Sequence, residues 1–285
     1  MSAKAKGENL LYVSDDVRSE VYVLSYPAGT LVGVLTGFGS PAGECVDAAG
    51  DVWITNLSPP EIIQFAHGST SPTATLSEAD SEPMGCSVDA KTGNLAVTNH
   101  YPRTIAVYQN AQGTPTTYSD SDFDGYDYCT YDDAGDLFAD DAVVGGMIAE
   151  LPEGSGTLKS ITLNQKLYPL SIQWNKTYLA IETETTLDAD LRGTHGSISV
   201  NHVKVSGSTG SVIGETHLKA PNDRIDSGGQ QFWISGNTIV GPDMFRYGRL
   251  GVFLWRYPSG GKPSSTIREM WGDPWGTVVS LAKKR

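Results

Sequence analysis

Short hydrophobic runs alternate along the whole chain with turns rich in Gly, Pro, Asn and Asp. Pro41-Ala-Gly-Glu-Cys-Val-Asp47 is followed by Gly50-Asp-Val-Trp-Ile-Thr-Asn56. Each such unit predicts a strand ending in Asp, a turn whose Gly can adopt positive φ, and a second strand ending in Asn. With 32 Gly, 15 Pro and only 19% charged residues, the chain is predicted to be all-β.

The two-strand unit recurs, which fixes the architecture more firmly than any single strand. It returns as Pro83-Met-Gly-Cys-Ser-Val-Asp89 with Gly93-Asn-Leu-Ala-Val-Thr-Asn99, and in a degraded form as Tyr128 to Asp132 with Gly135 to Asp141. Fainter copies cover 170–182 and 231–241, and the first copy begins midway, at Leu10 to Asp15. The second strands end at Ser14, Thr55, Thr98, Asp140, Ile181 and Gly241, in steps of 41, 43, 42, 41 and 60 residues. Six copies predict a six-bladed β-propeller, a single domain over residues 1–285.

Third strands such as Glu61 to Phe65 and fourth strands such as Thr73 to Leu76 complete four-stranded blades. The first blade lacks its inner strand, and Pro274-Trp-Gly-Thr-Val-Val-Ser-Leu281 matches the inner-strand pattern Pro-x-Gly-x-x-Val. We therefore expect the C-terminal strand to pair with the first blade and close the ring, since closure removes exposed edges.

These repeats resemble those of the six-bladed propellers that include NHL-repeat proteins and the SMP-30/gluconolactonase/strictosidine-synthase group. The same repeat is similar to that of virginiamycin B lyase, whose propeller has seven blades. The resemblance implies a propeller with a ligand site on one face. Where the lactonases carry Glu-Gly-Pro, this chain has Asp273-Pro274-Trp275, and it has no Pro-Asp-Gly, so no catalytic residue is transferred.

A net charge of −13 excludes nucleic acid as a partner, because binding to phosphates requires clustered Lys and Arg. No apolar run reaches the roughly 20 residues of a membrane helix, and the N-terminus lacks the apolar stretch of a signal peptide. The polar composition is common among exported proteins, so secretion or a periplasmic location after removal of a signal stays open. We expect a monomer.

Acidic and aromatic residues share the loops that lead into the inner strands and out of the second strands, among them Asp140, Glu182, Tyr128 and Trp275. Such a face suits a small polar molecule, a glycan or a peptide. One oxygen-bearing residue ends each of five second strands: Asp15, Asn56, Asn99, Asp141 and Glu182. These could converge on Ca²⁺ or Mg²⁺, or each could bind its own turn backbone.

His100 follows Asn99 on a loop with Tyr101 and Arg103, and this loop is the predicted catalytic site, with His100 as general base. The connection from Thr183 to Gly196 and the segment from Ala220 to Gly229 are longer than their counterparts. We expect them to form one wall of the ligand site. Its predicted ligand contacts are Asp188, Asp190, Arg192, His195, Arg224 and Asp226.

Cys45, Cys86 and Cys129 all fall on predicted inner strands, with Cys86 and Cys129 at the same register and Cys45 offset by one. Buried free thiols are the favoured interpretation, ahead of a Cys86–Cys129 disulfide and a three-cysteine metal site.

Two functions follow from the sequence. The favoured one is a binding or scaffold propeller that presents its acidic, aromatic face to a small polar ligand, glycan or peptide. The alternative is a divalent-metal-dependent hydrolase or lyase of the lactonase or virginiamycin-B-lyase kind.

Overall fold

The computed structural model describes residues 1–2, 5–140, 145–184, 198–219, 230–243, 251–268 and 271–283. These residues form a β-propeller whose strands are grouped in antiparallel fours. Short 3-10 helices occur at Ala5–Gly7 and Gln109–Ala111. In the described part of the chain, no helix is long and apolar enough to span a membrane.

The N-terminal half contains three four-stranded sheets. The first has β1 (Leu10–Asp15), β2 (Glu20–Ser25) and β3 (Leu31–Leu35), with β24 (Pro274–Ser280) paired antiparallel to β1. The second has β4 (Pro41–Val46), β5 (Val52–Leu57), β6 (Pro60–Phe65) and β7 (Pro72–Ser77). The third has β8 (Pro83–Val88), β9 (Leu95–Asn99), β10 (Thr104–Tyr108) and β11 (Thr116–Tyr118).

The C-terminal half contains an eight-stranded sheet and a four-stranded one. The eight-stranded sheet has β12 (Cys129–Tyr131), β13 (Leu137–Ala139), β14 (Met147–Leu151), β15 (Lys159–Leu163), β16 (Pro169–Trp174), β17 (Leu179–Glu184), β18 (Ile198–Ser206) and β19 (Thr209–Leu218). Its two antiparallel fours join where β15 and β19 run parallel, over Thr162 and Leu163. The last sheet has β20 (Trp233–Ser235), β21 (Thr238–Asp243), β22 (Gly251–Arg256) and β23 (Ser265–Ile267).

The strands β24, β4, β8, β12, β16 and β20 each begin a group of four, and we call them the inner strands. The next strand of each group is its second strand. Neighbouring inner strands pack side by side, β24 against β4, β4 against β8, β8 against β12 and β20 against β24. Second strands such as β5 and β9 are buried along almost their whole length, whereas the outer strand β7 is largely exposed. Burial therefore falls from the inner to the outer strands.

The hydrophobic core lies between adjacent sheets. Tyr12, Ile54 and Val278 pack together between the first and second sheets, and Trp53, Val97 and Tyr108 between the second and third. Each interface buries large apolar side chains from two sheets, so the groups stabilise one another rather than folding as separate layers.

Side chains of the second strands also bind the next inner strand along the chain. Ser14 Oγ donates to the Ala42 carbonyl, Thr55 Oγ1 to the Met84 carbonyl at 2.7 Å and Thr98 Oγ1 to the Asp127 carbonyl at 2.7 Å. These three hydroxyls occupy equivalent positions and repeat one structural contact.

The cysteines differ from the expectation of three free thiols. Cys45 and Cys86 form a disulfide with 5.6 Å between their Cα atoms, and only Cys129 is a buried free thiol. Alternate residues of a strand face opposite neighbours. Cys86 and Cys129 share a register, so both face the preceding sheet, where their sulfurs approach the carbonyls of Trp53 and Ala96. The offset of one residue turns Cys45 toward Cys86, which is why this pair bonds.

Candidate functional site

Asp15 and Asn56, two residues of the predicted metal ring, bind backbone amides of the loop that enters their own inner strand. Asp15 accepts from Gly272 N at 2.7 Å and Asp273 N at 2.9 Å. Asn56 Oδ1 accepts from the amides of Gly39 and Ser40, both at 3.0 Å. Both side chains are fully buried. Their oxygens therefore hold loops in place.

Asn99 is also buried, but its contacts are different. Its amide nitrogen donates to Glu78 Oε2 at 3.1 Å, and Glu78 Oε1 accepts from the Tyr108 hydroxyl at 2.6 Å. Burial raises the pKa of Glu78, and the hydrogen bonds from Tyr108 and Asn99 offset part of that rise. Asn99 thus anchors a buried carboxyl group between the sheets.

The remaining two ring residues are Asp141 and Glu182. Asp141 lies outside the described residues. Glu182 pairs with Ser171, while Thr183 pairs with Pro169, as Asn99 pairs with Pro83 and Thr98 with Gly85. Glu182 therefore corresponds to Thr98 rather than to Asn99. Among the described residues, no group of three His, Cys, Asp or Glu side chains could hold a metal ion.

The predicted catalytic loop makes two side-chain contacts with carboxylates at the face where the second strands end. His100 Nδ1 lies 2.7 Å from Asp127 Oδ1, with 44% of the histidine side chain exposed. Arg103 donates to Asp124 at 2.9 Å, and Tyr101 is exposed. A carboxylate that holds one imidazole nitrogen leaves the other nitrogen oriented, which is the arrangement a general base needs.

The position of Ser14, Thr55 and Thr98 is occupied by carboxylates further along the chain. Register places Asp140 there, directly after the end of β13, and Glu182 on β17, and both are buried. Asp140 Oδ1 accepts from Asp127 N at 3.2 Å and Tyr128 N at 2.7 Å. Two carboxyl groups thus replace two hydroxyls at equivalent places beside the inner strands.

The repeat also changes at the glycine of the inner strand, in the same groups of strands in which a carboxyl group replaces the hydroxyl. A Cβ at Gly43 would lie 2.3 Å from the Met84 carbonyl oxygen, and one at Gly85 2.6 Å from that of Asp127. These contacts leave no room for a side chain. The equivalent residues are Tyr128, directly before β12, and Ser171 on β16, both fully or almost fully buried. The fourth and fifth groups of strands therefore carry side chains where the first three, with Gly276, Gly43 and Gly85, pack backbone against backbone.

Tyr128 lies at the centre of this arrangement. Burial raises the pKa of its hydroxyl well above the ordinary value, and the carboxylates of Asp127, Asp140 and Glu182 raise it further, while the nearby Trp275 indole lowers it. Trp275 belongs to β24, in a different sheet. We call Tyr128, Asp140, Glu182 and Trp275 the axial carboxylate cluster.

Acidic groups extend from this cluster along the same face. Burial and the nearby carboxylates of Asp16 and Asp15 raise the pKa of Asp273 to about 6. On β4, burial raises the pKa of Glu44 well above its ordinary value, with partial compensation by the Val278 backbone amide. Neither oxygen of Glu44 makes a well-formed hydrogen bond.

The predicted wall of the ligand site cannot be placed. Its six residues lie outside the described part of the chain: Asp188, Asp190, Arg192, His195, Arg224 and Asp226. The strands that flank it are described, since β17 ends at Glu184 and β18 begins at Ile198. The sequence contained the signal for the axial carboxylate cluster, because its acidic and aromatic members break the Gly and Thr pattern of the repeat.

The sequence matches no protein-family model and no curated protein. Solved structures share the fold. The chain is similar to a structure titled as the nidogen/laminin complex, with a TM-score of 0.71 and 13% identity over 97% of this chain and 100% of that one. It is also similar to a protein of unknown function from Bacteroides caccae, with a TM-score of 0.67 and 10% identity over 96% and 99% of the two chains. These similarities show a β-propeller.

Proposed function

We propose that residues 1–285 form one six-bladed propeller, of the class that includes NHL-repeat and SMP-30-like proteins, closed by the pairing of β24 with β1. The four strands of each group support this count when the eight-stranded sheet is divided at its short parallel pairing. The side-by-side packing of inner strands supports a ring.

We propose that this propeller is a binding module whose ligand is a small polar molecule, glycan or peptide with a positively charged group. The observation that carries the proposal is the replacement of Thr98-type hydroxyls by the buried carboxylates Asp140 and Glu182 around Tyr128. The structural contact of the repeat requires only a hydroxyl, as Thr55 and Thr98 demonstrate. A carboxyl group is more than that contact needs, and Asp140 also uses one oxygen to accept from the amides of Asp127 and Tyr128.

Electrostatics favours a cation at this cluster. A cation about 4 Å from one carboxylate gains about 4 kcal/mol at an effective dielectric constant of 20, before desolvation is subtracted. The net charge of −13 also attracts cations over longer range. The ring faces of Trp275 and Tyr128 would add cation–π attraction.

Isothermal titration calorimetry with matched probes tests this function. Trilysine is compared with fully acetylated trilysine, and glucosamine with N-acetylglucosamine. The proposal expects a charged member to bind at least about tenfold more tightly than its neutral partner, and the affinity to fall with added salt. Equal affinities within both pairs, or no binding of either amine, would contradict it.

The pair formed by His100 and Asp127 supports a second candidate, a hydrolase or lyase in which His100 is the general base. Cleavage of a simple ester such as p-nitrophenyl acetate provides the assay. Turnover that disappears in His100→Asn supports this candidate, because Asn retains a donor to Asp127 but has no second ring nitrogen. Equal rates in the two proteins exclude His100 as the base.

A further inference from the structure

His67 joins the second sheet to segments from both ends of the chain. It lies half-buried in the turn between β6 and β7. Its Nδ1 is 2.6 Å from Ser280 Oγ, at the end of β24, and its Nε2 is 3.0 Å from the Glu8 carbonyl oxygen, just before β1. Because β24 and β1 are paired with each other, one imidazole ring connects this pair of strands to the neighbouring sheet.

The Ser280 hydroxyl has a second partner, which decides its role toward His67. It is fully buried and donates to the Gly50 carbonyl oxygen at 2.6 Å. A hydroxyl group has a single proton, and a carbonyl oxygen can only accept. With its proton directed at Gly50, Ser280 Oγ can only accept a hydrogen bond from His67.

Both ring nitrogens of His67 therefore face acceptors. Nδ1 must donate to Ser280 and Nε2 must donate to the Glu8 carbonyl. A neutral imidazole has one N–H, and only the imidazolium has two. The three hydrogen bonds can coexist only when His67 is protonated. In the neutral ring, one of these three contacts brings two lone pairs together without a proton between them.

The acidic groups around His67 favour a positive charge. Asp51, which precedes β5, accepts from the His67 backbone amide at 3.0 Å, while Asp47 of the same turn accepts from nearby amides. Glu8 adds a half-buried carboxylate on the N-terminal segment. Tyr12, on β1, stays neutral because burial raises the pKa of its hydroxyl to about 12.

Two lysines lie on neighbouring segments. The Lys6 backbone nitrogen approaches Gly68, the residue after His67, and Lys283 lines a groove together with Gly50. Both lysines are exposed. Water and salt therefore screen their ammonium groups from the half-buried ring.

We propose that His67 is a pH-sensitive latch, whose protonation completes the hydrogen bonds that fasten β24 and the N-terminal segment to the second sheet. The folded chain gains a hydrogen bond with this proton, whereas the unfolded chain does not. The stability contributed by His67 is therefore present at acidic pH and is lost as pH rises. The latch stands whether or not the axial carboxylate cluster binds a cation.

Urea denaturation of the unsubstituted protein and of His67→Gln tests the latch. We expect the loss in the folding equilibrium constant caused by His67→Gln to be at least about threefold larger at about pH 6 than at about pH 8. Comparing two proteins at each pH cancels the contribution of other titrating groups such as Glu44. A loss that is equal at the two pH values, or smaller at pH 6, overturns the proposal.

His202→Gln is the matched control. His202 Nε2 contacts Thr216 Oγ1, which donates to the Pro258 carbonyl, so this contact needs only one ring proton. Burial lowers the pKa of His202, so its contribution should shrink on acidification, opposite to that of His67. In a Ser280→Ala background, Nδ1 has lost its acceptor, and the effect of His67→Gln should no longer depend on pH. An unchanged pH dependence in that background overturns the proposal.

Nitrogen shifts of the histidine rings give an independent test in the unsubstituted protein. The chain has five histidines, and His67→Gln identifies the His67 signals by their loss. At about pH 7, where an ordinary imidazole is mostly neutral, we expect both ring nitrogens of His67 to be protonated and only one of His202. A single protonated nitrogen on His67 at this pH would contradict the latch.

Discussion

At the scale of single residues, the oxygen-bearing residue at the end of each second strand shows how a side chain can stabilise the fold. Asn56 and Asp15 satisfy backbone amides that would otherwise be buried without acceptors. This use needs only an oxygen at the end of the strand. The repeat reproduces it, so the sequence alone could not distinguish it from a metal ligand.

We expect Asn56→Ala to destabilise the protein by about 2 kcal/mol, because two amides at Gly39 and Ser40 lose their acceptor. Urea denaturation measures the change. Asn56→Asp retains the acceptor and should cost less. An alanine variant as stable as the unsubstituted protein would show that Asn56 has no role in holding the loop.

The hypothesis of a metal ring assigns these residues a different role, as ligands of a divalent cation. If Ca²⁺ or Mg²⁺ binds there, the melting temperature should rise with the ion, and Asn99→Ala should abolish the rise. If neither ion changes the melting temperature, the strand-end oxygens act only on the protein.

Glu44 gives the protein a pH-dependent stability. Because its pKa is raised in the folded state, the folded protein binds a proton that the unfolded chain releases above about pH 4.5. Stability therefore falls as pH rises from there toward the folded pKa. Glu44→Gln should be more stable than the unsubstituted protein at pH 8, and the difference should shrink toward pH 4.5 in urea denaturation. A constant difference across this range would contradict the assignment.

At the scale of elements, the repeat predicted the strands well because each strand carries its own pattern. The third strand Thr104–Tyr108 occurs as expected, and the strand from Pro274 ends at Ser280, one residue before the expected end. Relations between strands were less predictable. The bulge between Pro169 and Ser171 matches the one between Pro83 and Gly85, so Thr183 rather than Glu182 occupies the ring position. The alignment of this faint copy was one residue out of step.

The disulfide joins the inner strands of two sheets across a separation of 41 residues. Replacing both Cys45 and Cys86 by Ala should cost about 2–4 kcal/mol, since the cross-link restricts the unfolded chain. Cys129→Ala, which removes the free buried thiol, is the control and should cost less. Alkylation in denaturant without reductant should modify one thiol, at Cys129; three modified thiols would mean that the disulfide does not form.

Removal of β24 tests the proposed closure of the ring. A chain truncated before Pro274 leaves β1 with a free edge where β24 was paired. We expect it to lose cooperative thermal unfolding. A truncated protein that melts cooperatively at the same temperature would show that the pairing does not close the fold.

At the scale of the whole molecule, the two ends of the inner strands carry different chemistry. One end collects buried carboxylates around Tyr128, and the other forms a cavity of about 500 Å³ whose lining is partly aromatic. The groups of four strands differ as well. The third group retains the Gly and hydroxyl of the repeat at Gly85 and Thr98, while the fourth replaces them with Tyr128 and Asp140. The sequence shows which residues differ from the repeat, but only the fold shows which of them lie close together.

The central claim is that Asp140 and Glu182 bind a cation, and the direct measurement is the trilysine affinity of Asp140→Asn, Glu182→Gln and their combination by calorimetry. Both substitutions keep the shape of the side chain and remove its charge. Glu153→Gln removes one charge from an exposed turn at the other face and serves as the control. We expect each single variant to weaken binding about tenfold or more, and the control to bind as the unsubstituted protein does. Equal affinity in the double variant and the control would contradict the claim.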